Sequence, residues 1–158
     1  MRIYRDVRFG KDKRPYKTNI GIQFRHELGK DVHAPGFYVH IEPGECFIGV
    51  GIWRPDSQAL GKIRDRLCER GDQWLSTINA KEFKKRFVLA GESLTNPPRG
   101  YSRDHPMIDE LKRKDFIAIS AIDDDVALSP GFRKQVLDHY RTADDYMRYL
   151  CEALSLRY

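Results

Sequence analysis

Three stretches near the start of the chain alternate apolar and polar residues with a period of two, a pattern that buries one side of an extended strand. In Thr18–Arg25, Ile20, Ile22 and Phe24 alternate with Asn19, Gly21, Gln23 and Arg25. In Gly36–Glu42, Phe37, Val39 and Ile41 share one side, and Tyr38, His40 and Glu42 the other. In Cys46–Trp53, Cys46, Ile48, Val50 and Ile52 oppose Phe47, Gly49, Gly51 and Trp53. Between the last two lies Glu42-Pro43-Gly44-Glu45, with proline pre-set for the second turn position and glycine for the third. These segments predict an antiparallel sheet over 18–54, with 36–54 as a hairpin.

The polar side of this sheet gathers Asn19, Gln23, Arg25, Tyr38, His40 and Glu42 beside Gly49 and Gly51. Alternate glycines in a strand mark close approach of a ligand or of another backbone. Phe47 and Trp53 fall on the same side, and a helix packed there is the plainer account of them.

Helical spacing follows. Ala59, Leu60, Ile63 and Leu67 predict a helix over about 56–70, with Asp56 as N-cap and Gly71 as its stop. Trp74, Leu75 and Ile78 suggest a second, Phe83 and Phe87 a third, and Ile108 with Leu111 a short fourth. Residues 96–106 read as a loop, 116–122 as an apolar strand, and Asp123–Asp125 as an acidic turn. Helix is expected across most of 130–156, the last segment opening on a capping-box pair, Thr142 and Asp145. The fold class is α+β: an antiparallel sheet from the N-terminal half, packed by helices mainly from the C-terminal half. At 158 residues, 1–158 is expected to be one domain.

Charge is concentrated at one end. Residues 1–17 hold seven Lys or Arg and two Asp, which leaves 21 of 28 basic and 21 of 23 acidic residues in the remainder. The net charge of +5 therefore resides in the opening segment, a field that attracts anions. No apolar run reaches the ~18 residues of a membrane helix, and Met1-Arg2-Ile3-Tyr4 leads straight into charge, unlike a signal peptide. Cys46, Cys68 and Cys151 are odd in number and scattered, as expected of reduced thiols in the cytoplasm.

The blocks YRDVRFGKDKRPYKTN, APGFYVHIEPGECFIGVGIWRPDSQALGKIR, LAGESL and PPRGYSRDHP resemble, in order, the signature segments of the bacterial domain-of-unknown-function family 2461. Its hallmark, Arg-Asp-x-Arg-Phe followed by Asp/Asn-Lys and Tyr, is matched by Arg5-Asp6-Val7-Arg8-Phe9, Asp12-Lys13 and Tyr16. The resemblance implies no particular reaction. It does imply a helical segment upstream of the hallmark. Relative to that pattern the chain is N-terminally shortened, so apolar surface would be left for an oligomer contact, and an upstream-extended form is expected to be more soluble.

The hallmark offers planar guanidinium forks on Arg5 and Arg8, suited to carboxylate or phosphate. Asp6 and Asp12 would orient them; Lys13 and Lys17 add point charges and Tyr16 a hydroxyl. Arg54, Arg99, Tyr101 and His105 complete the candidate ligand-binding set, the last three on a Pro/Gly loop. A salt-bridge network that locks a loop to the sheet would use the same pairs, and Arg8→Ala separates the two by its effect on stability. Two functions are compatible with these residues. One is a binding protein or enzyme for an anionic small ligand, phosphate or nucleotide-like. The other is a nucleic-acid module using the basic segment and nearby aromatics such as Tyr4, Phe9, Tyr16, Trp53 and Tyr101. No metal and no cofactor is expected. His26, His33 and His40 recur every seven residues, which is not a chelate spacing, and there is neither Cys-x-x-Cys nor a phosphate-binding glycine loop. No catalytic residues are assigned, and no membrane partner is expected.

Overall fold

The computed structural model describes residues 16–26 and 34–158. Five strands, β1 (Ile20–Arg25), β2 (Gly36–Ile41), β3 (Phe47–Ile52), β4 (Val88–Ala90) and β5 (Phe116–Ala121), form one antiparallel sheet in the order β1-β2-β3-β5-β4. The helices are α1 (Ser57–Glu69), α2 (Gly71–Asn79), α3 (Lys81–Arg86), α4 (Ile108–Leu111), α5 (Asp124–Ala127), α6 (Phe132–Thr142) and α7 (Asp144–Ala153). This is the expected α+β class. Two helices of the packing layer, α1 and α2, nonetheless come from the first half of the chain, and the interior strand β5 from the second.

The alternation sets which side is covered. Val50 and Ile52 of β3 and Phe116 and Ala118 of β5 are buried in one cluster with Ile63 and Leu67 of α1, Trp74 of α2 and Tyr146, Tyr149 and Leu150 of α7. Glu42-Pro43-Gly44-Glu45 closes the β2–β3 hairpin: Gly44 has φ +79°, and the Glu45 N–H donates to the Glu42 carbonyl at 2.9 Å, the geometry that favours glycine at the third position. Asp56 caps α1 through a 2.7 Å bond from the Ala59 N–H.

Four expectations are corrected. Gly71 does not stop α1; Arg70 ends it and Gly71 opens α2, where a side chain would collide with Met107. The Asp123–Asp125 turn is the start of α5, and the Asp124 carboxylate accepts the Gly44 N–H across the hairpin. Thr142 ends α6 instead of capping α7, its hydroxyl donating to the Asp138 carbonyl as hydroxyls inside helices do. Phe87 lies just past α3, which ends at Arg86.

Candidate functional site

The other face of the sheet carries a concave cavity of about 580 Å³, and no described helix lines it. The expected helix is therefore absent there among the described residues. The floor is Gly49, Gly51, Ile117 and Ile119; Tyr38, Phe47 and Trp53 form aromatic walls; Gln23 and Arg25 of β1 supply a polar side. The register explains the grouping. Tyr38 pairs with Gly49, Gly49 with Ile119, and Gly51 with both Gly36 and Ile117, so every second residue of adjacent strands faces the same space.

The two floor glycines have different causes. A Cβ on Gly51 would sit 2.0 Å from the Phe116 carbonyl oxygen, and its φ is +114°; this glycine is required by the approach of β5's backbone. A Cβ on Gly49 would meet only the Tyr38 and Phe47 side chains, at 3.7 and 3.8 Å. Gly49 leaves the floor open without being required by the fold.

Polar chemistry at the rim is ordered. Arg25 Nε donates to Gln23 Oε1 at 3.1 Å, which presents both side chains on the same side of β1. On β2, Tyr38 Oη lies 3.2 Å from His40 Nδ1, and His40 Nε2 lies 3.2 Å from Glu42 Oε2. Burial raises the pKa of Tyr38 above the usual phenol value. Trp53 is 63 % exposed, and the Arg54 guanidinium sits over its ring at 4.8 Å, within cation–π range. Arg54 holds a left-handed φ of +50°, and its N–H donates to the buried Asp115 carboxylate at 2.8 Å. The side chain of Asp115 also accepts the Glu92 N–H at 2.8 Å.

Of the residues singled out in the sequence, Arg5, Asp6, Arg8, Asp12 and Lys13 lie outside the described residues, as do Tyr4, Phe9 and His33. Tyr16 and Lys17 are exposed on the approach to β1. Arg54 stands on Trp53, a wall of the cavity. Tyr101 and His105 come together edge to face, 6.4 Å between centroids, with His105 Nδ1 accepting the Met107 N–H at 3.1 Å. Their neighbour is α1: burial raises the Tyr101 pKa, Cys68 and Asp65 add to the rise, and Arg64 opposes it. Arg99 is exposed on the same loop. None of Arg99, Tyr101 and His105 lines the sheet cavity.

Gln23, Arg25, Tyr38 and His40 share one side of the alternating sheet, and the candidate ligand-binding set drawn from the sequence does not contain them. The signal that finds them is the alternation read across strands, with Gly49 opposite Tyr38. Ile117 and Ile119 join them through the pairing of β5 with β3, which no local pattern encodes. Among the described residues no cluster of His, Cys, Asp and Glu is arranged to hold a metal ion, and no helix is long and apolar enough to cross a membrane.

No curated protein and no solved structure matches the chain. One family model, described as "Conserved hypothetical protein (DUF2461)", matches residues 1–149. That match spans nearly the whole chain, from the charged opening segment through the sheet and into α7, and the chain belongs to this family.

Proposed function

We propose that the open face of the sheet binds an anionic small molecule with a flat apolar body, of the size and kind of a nucleotide. The observation that carries this is the cavity itself: about 580 Å³, with an apolar floor, three aromatic walls and a guanidinium at one side. Small-ligand sites have this composition, mostly apolar with a few placed polar groups. Tyr38, Phe47 and Trp53 would stack on the flat body, and Arg25 would take the anionic group as a charge-assisted pair. The +5 charge of residues 1–17, to which Arg5, Arg8, Lys13 and Lys17 contribute against Asp6 and Asp12, would raise the concentration of anions around the protein. Arg54 and the loop residues Arg99, Tyr101 and His105 would extend the same attraction. Free Cys46, Cys68 and Cys151 fit a reducing compartment, and we place the protein in the cytoplasm.

The test uses tryptophan fluorescence. The chain has two tryptophans; Trp74 is fully buried and Trp53 is exposed at the cavity. Titration with AMP and other nucleoside phosphates should quench Trp53 saturably, and Arg25→Ala should weaken the apparent affinity about tenfold or more, the worth of one charged hydrogen bond. The absence of saturable quenching across such a panel would remove this reading.

A nucleic-acid module is favoured by one observation, the exposed Trp53 on a sheet face whose cavity no helix lines among the described residues. Single strands stack on such aromatic platforms. Binding of an oligonucleotide with a steep salt dependence, and no response to mononucleotides, would select it.

A further inference from the structure

Three ionisable side chains follow one another on the open face at every second residue: Tyr38, His40 and Glu42. The His40 ring is held between them and stacks on Phe47, 4.8 Å between centroids and 13° between planes. Its side chain is 12 % exposed. Thr18 Oγ1 donates to the second oxygen of Glu42, which fixes the carboxylate from the β1 side. A carboxylate only accepts, so His40 Nε2 carries the hydrogen toward Glu42, and Nδ1 is left as an acceptor. The Tyr38 hydroxyl donates to it at 3.2 Å, and the Asn19 amide stands farther off at 3.5 Å. Hydroxyl, imidazole and carboxylate thus occur in the order of roles that activates a hydroxyl: the carboxylate sets the tautomer and steadies the imidazolium, and the free nitrogen takes the proton. Of the three, Tyr38 lines the cavity, while His40 and Glu42 lie behind it.

We propose that Tyr38 is a reactive hydroxyl backed by His40 and Glu42, and that the cavity is an active site in which a hydroxyl of the bound ligand passes its proton to Tyr38 Oη. This rests on the cavity being a ligand site and deepens that reading to acid–base chemistry. In the step, Oη accepts the ligand's proton as its own moves to His40 Nδ1. One O–H bond forms at Tyr38 and one breaks, the ligand oxygen keeps the electron pair, and Glu42 faces the new imidazolium. The reverse transfer resets the site without any oxidant or co-reactant. Burial keeps the phenol protonated at rest, and a concerted hand-over never requires a free phenolate. His40 and Glu42 are positioning residues in this scheme.

An aryl sulfonyl fluoride tests it on the full chain without a known ligand. Labelling forms a Tyr38 Oη–S bond, breaks S–F, releases fluoride and sends the phenol proton to His40 Nδ1. Peptide mass spectrometry should show Tyr38 labelled about tenfold or more faster than the exposed Tyr158, within what a positioned base supplies. His40→Ala should bring Tyr38 down to the Tyr158 rate. Glu42→Gln, which keeps a hydrogen bond to His40 but loses the charge, should slow it several-fold with the melting temperature little changed. A structural clasp would move the melting temperature and leave the labelling rate alone. Tyr38 labelling no faster than Tyr158, or a rate indifferent to both Glu42→Gln and His40→Ala, would overturn the proposal. If His40→Ala fails to fold, Glu42→Gln decides. Nucleotide quenching of Trp53 is read separately, so loss of binding and loss of reactivity are distinguishable.

Discussion

Asp115 holds the main chain of Arg54: its carboxylate, 3 % exposed, accepts the Arg54 N–H at 2.8 Å while its second oxygen takes the Glu92 N–H at the same distance. The turn that places Trp53 and Arg54 at the cavity is thereby pinned to the start of β5 and to the segment after β4. Asp115→Ala would leave both part-buried N–H donors without this acceptor. The expected cost is about 2–4 kcal/mol, one to two unsatisfied groups' worth, read as a lower midpoint in urea unfolding.

The floor glycines give opposite expectations. Gly51→Ala forces a Cβ into the Phe116 carbonyl at a φ of +114°, and should destabilise by about 3 kcal/mol or more, or prevent folding. Gly49→Ala meets only ordinary contacts and should stay within about 1 kcal/mol of the parent. Gly49→Leu carries the idea further: it fills the cavity, so it should fold and melt cooperatively while nucleotide quenching of Trp53 disappears. Undiminished quenching in that variant would place the ligand elsewhere.

Arg54 occupies a left-handed backbone conformation, φ +50°, that costs a non-glycine residue about 1 kcal/mol. Arg54→Gly should relieve it, leaving stability equal or higher by up to about 1 kcal/mol after the glycine's extra chain entropy. The same change removes the guanidinium from the Trp53 ring. Stability kept with affinity lost would mark Arg54 as a residue held in a strained state for binding. The pair of measurements is thermal melting and fluorescence titration.

Much of this was legible in the chain. The β2 and β3 alternation, the Pro43-Gly44 turn and the Asp56 cap are short-range signals that the structure satisfies. The alternation of 18–25 gives the strand β1 but not the expected burial of one side, because Ile20, Ile22 and Phe24 remain 39, 42 and 50 % exposed. What sequence could not supply was long-range pairing. Val88–Ala90 is too short to announce itself as a strand and exists because β5 offers it an edge. Gly71 carries the composition of a stop, but Met107 from a distant loop occupies the space where its side chain would be. The cavity was half visible for the same reason: Tyr38 and Gly49 belong to one hairpin, whereas Ile117 and Ile119 arrive from another part of the chain. The net charge of the opening segment says where anions are attracted and nothing about where a ligand sits.

His139 gives the chain a defined acid response. It is buried on α6, its Nδ1–H donating to the Gln135 carbonyl at 2.7 Å. Burial pushes its pKa below the usual imidazole value; the Gln135 bond and Asp138 oppose this, and Arg86 reinforces it. The unfolded chain then binds more protons than the folded one as the pH falls below ~6.5, so stability falls from there down to the folded pKa. His139→Gln should flatten this part of the stability–pH curve. An unchanged slope between pH 6.5 and 5 would assign the acid response to other groups.

The Tyr146 hydroxyl is buried and finds no hydrogen-bond partner among the described residues. Tyr146→Phe keeps the ring against Trp74 and Phe83 and removes only the desolvated oxygen. Stability should rise by about 1 kcal/mol, seen as a higher melting temperature.

Every residue of β1 is exposed, and within the described sheet the strand pairs with β2 alone. A strand of this kind separates from a sheet at lower free energy than strands with buried sides, as a small opening unit of its own. Gln23 and Arg25 ride on it. One side of the cavity is therefore attached to a latch and the floor to a rigid bed. Detachment of residues 20–25 would widen the aperture, so amide hydrogen exchange in that strand should slow when the cavity fills while exchange in β3 and β5 stays as it was.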